Sequence, residues 1–289
     1  MKKPQWIRIK PPEEHCLHAM KGLLDEFNLH TVCESALCPN IGSCFAEGTA
    51  TFMILGDVCT RNCGFCGVKH GTPLPLDLTE PQRVAWAAKK LSLEHVVVTS
   101  ITRDDLSDGG ACLFAETERQ IKLLMPQTST ELLISDLGGL KENLHTVVAA
   151  EPDILAHNIE TVPRLYATIR PQAHYRRSLL ILRHTKEIKP MIITKSGMMI
   201  GLGEKRDEIL ETMRDLREVD CDILTIGQYL RPSTQNVEVK EYIHPEVFEQ
   251  YKEEGYSMGF KYVASSPFVR SSFHAKKMLQ YIKKKSCCP

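Results

Sequence analysis

The sequence predicts an α/β protein: a partial (β/α)6 barrel of TIM type, with N- and C-terminal extensions. Three observations predict it: short apolar runs recur, helical patterns lie between them, and polar residues collect where the runs end. Strands buried on both faces read as near-continuous apolar stretches, and their alternation with helices argues for βαβ units and a parallel sheet. At 289 residues the chain is long enough for one large domain with additions.

The runs are TFMIL (51–55), HVVVTS (95–100), ELLIS (131–135), DILAHN (153–158), PMIITKS (190–196) and DILTIGQ (222–228). Between them, residues 79–92 carry a capping-box spacing at Thr79 and Gln82, and Val84, Ala88 and Leu91 share one face. In 204–219, Ile209, Met213 and Leu216 do the same. Six such units suit a partial barrel better than eightfold closure, although periodicity by itself also admits a doubly wound sheet. In either architecture the site belongs at the C-terminal ends of the strands. Thr99, Ser100, Arg103-Asp104-Asp105, Asp136, His157, Asn158, Glu160, Lys195, Gln228 and Arg231 all gather there. Any one of these reads most simply as a cap or turn residue. Six strand ends furnished alike are harder to explain that way.

The barrel is expected over residues 51–235. Residues 1–50 form an N-terminal extension with a helix over 13–28. Residues 236–289 form a C-terminal extension with a helix over 244–254, a strand over 261–264 and a tail containing VRSSFHA (269–275).

Lys plus Arg and Asp plus Glu are equal at 36 each, so no overall field favours nucleic acid or an anionic membrane. The opening MKKPQWIRIKPP is basic, but no apolar core follows it as in a signal peptide, and no run approaches a membrane span. A soluble, cytoplasmic chain with no nucleic-acid or membrane partner is expected. Eleven cysteines then need a reason, because a reducing compartment rarely permits structural disulfides. Six of them, Cys33, Cys38, Cys44, Cys59, Cys63 and Cys66, fall within 34 residues, which points to metal.

Cys59, Cys63 and Cys66 are spaced C-x3-C-x2-C between glycines. Structural zinc closes with four protein ligands; His70 is available as a fourth, so zinc stays open on spacing alone. Three cysteines on one loop can instead hold three irons of a [4Fe–4S] cluster and leave the fourth iron for a ligand. The loop, with Phe65 before its third cysteine, closely resembles the signature of the radical SAM family. In that family S-adenosylmethionine (SAM) chelates the open iron and is cleaved reductively to a 5′-deoxyadenosyl radical.

Upstream, TVCESALCPNIGSC places Cys33, Cys38 and Cys44 at C-x4-C-x5-C. Alone, this triplet reads as a zinc anchor or as core thiols. Together with KPQWIRIKPP, VVVTSITRDDLSDGGA, HNIETV, TKSGMMIGLGE, LTIGQYLRPS and SSPFVRSSFHA, it makes the chain resemble lipoyl synthases nearly end to end. The resemblance implies two [4Fe–4S] clusters. Cys59, Cys63 and Cys66 would hold the SAM cluster, and Cys33, Cys38, Cys44 and Ser272 an auxiliary one. The implied reaction inserts sulfur at C6 and C8 of an octanoyl chain on a lysine of a carrier protein. Unactivated C–H bonds of this kind need a radical. The implied partners are the octanoylated carrier, a reductant such as flavodoxin or ferredoxin, and an iron–sulfur carrier. Thr99, Ser100, Asn158, Lys195 and Gln228 would line the SAM site or its rim. No acid–base catalyst is expected, and His157 reads as a hydrogen-bonded fixture.

The motif reads Arg270-Ser271-Ser272-Phe273 where the family has tyrosine last, and Ser135 and Leu137 replace the usual proline and phenylalanine. Cys287 and Cys288 belong to no motif of the family. Two other readings compete: a sulfur-inserting enzyme akin to biotin synthase, and a zinc-stabilised binding module.

Overall fold

The computed structural model describes residues 2–8, 14–46 and 50–286. Cys287 and Cys288 lie outside them. The chain divides into two compact units: one comprises Ile9–Asn62 and Cys66–Leu155, the other Met1–Arg8, Cys63–Phe65 and Ala156–Pro289.

In the first unit the helices are α1 (Glu14–Glu26), α2 (Val32–Ser35), α3 (Ile41–Ala46), α4 (Glu80–Lys90), α5 (Ala111–Leu124) and α6 (Lys141–Val148). Its strands are β1 (His30–Thr31), β2 (Thr51–Ile54), β3 (Val58–Cys59), β4 (Lys69–His70), β5 (His95–Ser100), β6 (Ser129–Leu133) and β7 (Ile154–Ala156). The sheet runs in the order β1-β2-β5-β6-β7, with β3 and β4 a separate pair. β2 pairs parallel with β5 and β5 with β6, whereas β1 joins antiparallel at the edge. Val96, Val97 and Val98 are all buried, so both faces of β5 are covered, as its unbroken apolar run requires.

The second unit holds β8 (Ile193–Ile200), β9 (Ile223–Gln228) and β10 (Tyr262–Ser265), with β9 parallel to both neighbours. Its helices are α7 (Tyr166–Ile169), α8 (Tyr175–Ile188), α9 (Arg206–Glu218), α10 (Pro245–Ser257) and α11 (Ala275–Ser286). Ile209, Met213 and Leu216 of α9 face Leu224, Ile226, Phe248 and Val263 in one core, the stripe expected from their spacing. Trp6 of the opening KPQWI donates its indole N–H to Ile243 O at 3.2 Å and meets His244 edge-on.

Several local expectations are corrected. Thr79 is helical and its hydroxyl makes no cap bond; Asp77 accepts the Thr79 N–H at 2.9 Å and its hydroxyl at 2.6 Å instead. ELLIS enters the sheet two residues early, as β6 at Ser129–Leu133, and DILAHN forms only three strand residues. PMIITKS runs on to Ile200, because β9 pairs with β8 as far as Ile200↔Gln228. Lys195 is therefore the third residue of an eight-residue strand and not at its C-terminal end. Among the described residues, no helix is long and apolar enough to cross a membrane.

Candidate metal centres and cofactor site

The first cysteine triplet is assembled within one unit. Thr31 caps α2 by accepting the Glu34 N–H at 3.3 Å, and this places Cys33 in the first turn. Cys38 N–H returns to Cys33 O at 2.9 Å, and Cys44 N–H to Asn40 O at 2.9 Å. Burial pushes the Cys33 thiol up to about 12, and the proximity of Cys38 and Cys44 adds to the shift. Charge on all three sulfurs at once would be opposed by burial and by mutual repulsion, and a multivalent cation bound there would remove that penalty. None of the three is disulfide-bonded, nor are Cys59, Cys63 and Cys66. Among the described residues, no group of three His, Cys, Asp or Glu side chains closes around a single ion.

Of the second triplet, Cys59 ends β3, and Cys63 and Cys66 follow on the loop between β3 and β4. Cys59 Sγ accepts two backbone N–H groups, from Arg61 at 3.4 Å and Thr102 at 3.3 Å. These two contacts fix the position of the Cys59 sulfur. The loop is tied to the turn after β5, where Thr60 bonds Thr102 O through both its N–H (3.1 Å) and its hydroxyl (2.9 Å). Arg61, which sequence reasoning missed, is 7% exposed and anchors the same loop. It grips Asp136 bidentately at 3.0 and 2.7 Å and Asp104 at 2.8 and 2.7 Å. Burial opposes its charge, but the bonds to Asp104 and Asp136 more than offset this and hold the guanidinium above its ordinary range. The available signal was an arginine between two cysteines together with three aspartates in later turns.

In the second unit, Gly64 donates to Ile169 O at 2.9 Å, and Val237 donates to Gly64 O at 2.9 Å. A Cβ on Gly64 would stand 2.8 Å from Val237 Cγ1, so glycine permits this close approach. Phe65 packs with Ile169, Leu202 and Tyr229.

The five expected SAM-site residues fare differently. Ser100, at the end of β5, has a buried Oγ with no hydrogen-bond partner among the described residues. Thr99 donates to Leu133 O at 2.9 Å and so ties β5 to β6. Asn158, just beyond β7, joins Glu160 and the tail. Lys195 is fully buried within β8. Gln228 works as a structural fixture. Its Nε2 donates to Ile200 O, Tyr229 O and Glu241 O at 3.0–3.1 Å, and its Oε1 accepts from Ile243 N at 2.8 Å. Gly201 (φ 101°) makes room for this, because a Cβ there would meet Gln228 Nε2 at 2.2 Å. His157 is likewise a fixture, its Nε2 2.9 Å from Ser178 Oγ. Arg231 braces its own loop through Asn236 O at 2.8 Å.

The C-terminal tail is docked within its unit. Gln228 N–H reaches Pro267 O at 3.2 Å, and a Cβ on Gly227 would stand 2.1 Å from Val269 O. The two serines of RSSF differ in setting. Ser271 donates to Asn158 Oδ1 at 3.0 Å, whereas Ser272 lies in the turn before α11, where its carbonyl accepts from Ala275 N at 3.3 Å.

Comparison with known proteins fits this arrangement. The sequence model of the radical SAM superfamily matches residues 53–216. A lipoyl synthase of Caldanaerobacter subterraneus subsp. tengcongensis is 56% identical, covering 95% of this chain and 96% of its own. Lipoyl synthases of Alkaliphilus metalliredigens (55%; 96% of each chain) and Pseudomonas fluorescens (50%; 98% and 83%) are similar throughout. Among solved structures, methylornithine synthase aligns over 82% of each chain with a TM-score of 0.57 at 13% identity. HydG, a maturase of the [FeFe]-hydrogenase, aligns over 94% of this chain and 68% of its own, with a TM-score of 0.54 at 14% identity. These likenesses show the fold, the partial TIM-type barrel that the strand–helix alternation predicts. With near full-length identity above 50% to several lipoyl synthases and the superfamily model over residues 53–216, the chain belongs to the lipoyl synthase family of radical SAM enzymes.

Proposed function

We propose that this chain inserts two sulfur atoms, at C6 and C8, into an octanoyl group carried on the lysine of a carrier protein. Two cysteine triplets of different spacing carry the reading. One has the superfamily spacing, and the other lies in a single unit, where burial raises the Cys33 thiol and the nearby Cys38 and Cys44 add to the rise. When bound at Cys59, Cys63 and Cys66, a [4Fe–4S] cluster with SAM supplies a radical able to take hydrogen from an unactivated C–H bond. The chain's own residues prepare for that. Arg61 and Thr102 N–H groups point at Cys59 Sγ, Arg61 pins the loop through Asp104 and Asp136, and Ser100 offers an unused buried hydroxyl.

Cys33, Cys38 and Cys44 hold a second [4Fe–4S] cluster, the sulfur source, and Ser272 is its fourth ligand. The resemblance of the Arg270-Ser271-Ser272-Phe273 motif to that of the family supports Ser272. A serine oxygen is a weak iron ligand and suits a cluster that is dismantled in turnover. By the same resemblance the partners are an electron donor such as flavodoxin or ferredoxin and an iron–sulfur carrier, and the enzyme works in the cytoplasm.

Anaerobic reconstitution with iron and sulfide is expected to give a brown protein with about eight irons. An octanoylated carrier treated with this protein, SAM and reductant should gain two sulfurs by mass spectrometry. Cys33→Ala should keep SAM cleavage and lose the product, whereas Cys59→Ala should lose both. A colourless zinc protein, or lipoyl product from a variant shown to lack the auxiliary cluster, would refute the reading.

A further inference from the structure

The RSSF motif has two serines, and the cluster reading uses only Ser272. Ser271 has its own task within the second unit. Its hydroxyl donates to Asn158 Oδ1 at 3.0 Å, and Asn158 Nδ2 donates to Glu160 Oε1 at 3.1 Å. A side-chain amide has two orientations that exchange donor for acceptor. A donor on one end and a carboxylate on the other select one of them. Gly197 keeps the slot open, because a Cβ there would stand 2.9 Å from Asn158 Oδ1 and 2.6 Å from Thr225 Oγ1. Glu160 is fixed beside it in left-handed backbone (φ 66°), its N–H on Gly197 O and its carbonyl on Met199 N, both at 2.9 Å. A non-glycine residue stays in that conformation only where its surroundings over-determine it. Burial opposes the Glu160 charge, and Arg170, the Asn158 amide and Arg270 favour it. Two consecutive motif residues, Arg270 and Ser271, thus act on the same Asn158–Glu160 pair.

We infer that Ser271 is a positioning residue for the SAM pocket: its hydroxyl sets the Asn158 amide, so SAM binds at full strength only when the C-terminal tail is docked. This rests on the reading that Asn158 lines that pocket. By linkage, SAM holds the tail in place by the same factor by which the docked tail favours SAM. The motif that closes the auxiliary cluster would thereby also govern cofactor binding.

The test is SAM affinity by equilibrium dialysis on the iron-loaded wild type, Ser271→Ala, Ser271→Thr and Asn158→Ala, with iron and sulfide measured on each. Loss of one net hydrogen bond is expected to weaken SAM about 3- to 10-fold in Ser271→Ala, with iron content unchanged. Ser271→Thr, which keeps the hydroxyl, should stay near wild type, and Asn158→Ala should lose at least as much as Ser271→Ala. Bound SAM should slow tryptic cleavage at Lys276 and Lys277 more in the wild type than in Ser271→Ala. Wild-type affinity in Ser271→Ala with weakened affinity in Asn158→Ala would overturn the inference and leave the pocket reading standing. Wild-type affinity in both would remove Asn158 from the pocket and the inference with it. Ser271→Thr as weak as Ser271→Ala would show that the hydroxyl is not the cause.

Discussion

Arg61 offers the sharpest test of how the cluster loop is held. Its guanidinium meets one carboxylate that is almost wholly buried, Asp136 at 2% side-chain exposure, and one that is partly in water, Asp104 at 42%. Removing one member of a buried pair strands the other charge and costs about 3–5 kcal/mol, whereas an exposed pair is worth roughly 0–1 kcal/mol. Arg61→Ala and Asp136→Ala are therefore expected to lose about 3–5 kcal/mol each, and Asp104→Ala no more than about 1 kcal/mol. In the Arg61→Ala/Asp136→Ala double variant neither charge is stranded. Its loss should fall short of the sum of the singles by up to about 3 kcal/mol. Anaerobic urea unfolding of the four proteins, followed by circular dichroism and compared at constant slope, measures this cycle. Strict additivity, or an Asp104→Ala loss equal to that of Asp136→Ala, would refute the claim that a buried bidentate pair anchors the loop.

Glu118 is fully buried and its carboxyl is raised to about 7, chiefly by burial, with the Thr130 hydroxyl opposing. Its contribution to stability is therefore complete below the unfolded-state value near 4.5 and is lost as pH rises through about 7. Glu118→Gln, which can still accept from Thr130, should be more stable than the wild type at pH 8 and equal to it below about pH 4.5 by thermal melting. Gly227→Ala should dislodge the tail, since its Cβ would meet the backbone oxygen of Val269, and limited proteolysis should then cut after residue 266. Gly64→Ala should cost about 1–3 kcal/mol by overpacking against Val237 Cγ1. Val237→Ala should restore part of that loss, which melting temperatures of the single and double variants will show.

The sequence by itself determined what depends on local chemistry. Six apolar runs announced six strands because a strand covered on both faces tolerates little else, and HVVVTS became β5 residue for residue. The cysteine spacings and the motifs around them were enough to identify the family. The stripe of Ile209, Met213 and Leu216 needed only the helical period to be placed in a core. What distant segments settle was not legible. Lys195 lies mid-strand because β9 pairs with β8 as far as Ile200, and register is a property of two strands together. Gln228 is occupied by Ile200, Tyr229, Glu241 and Ile243, since a buried amide takes whichever backbone groups the fold brings to it. Arg61 found Asp136 across 75 residues, and Ser271 found Asn158 across 113. Side-chain hydrogen bonds of that range leave no periodicity in the chain; only the packed tertiary structure chooses their partners.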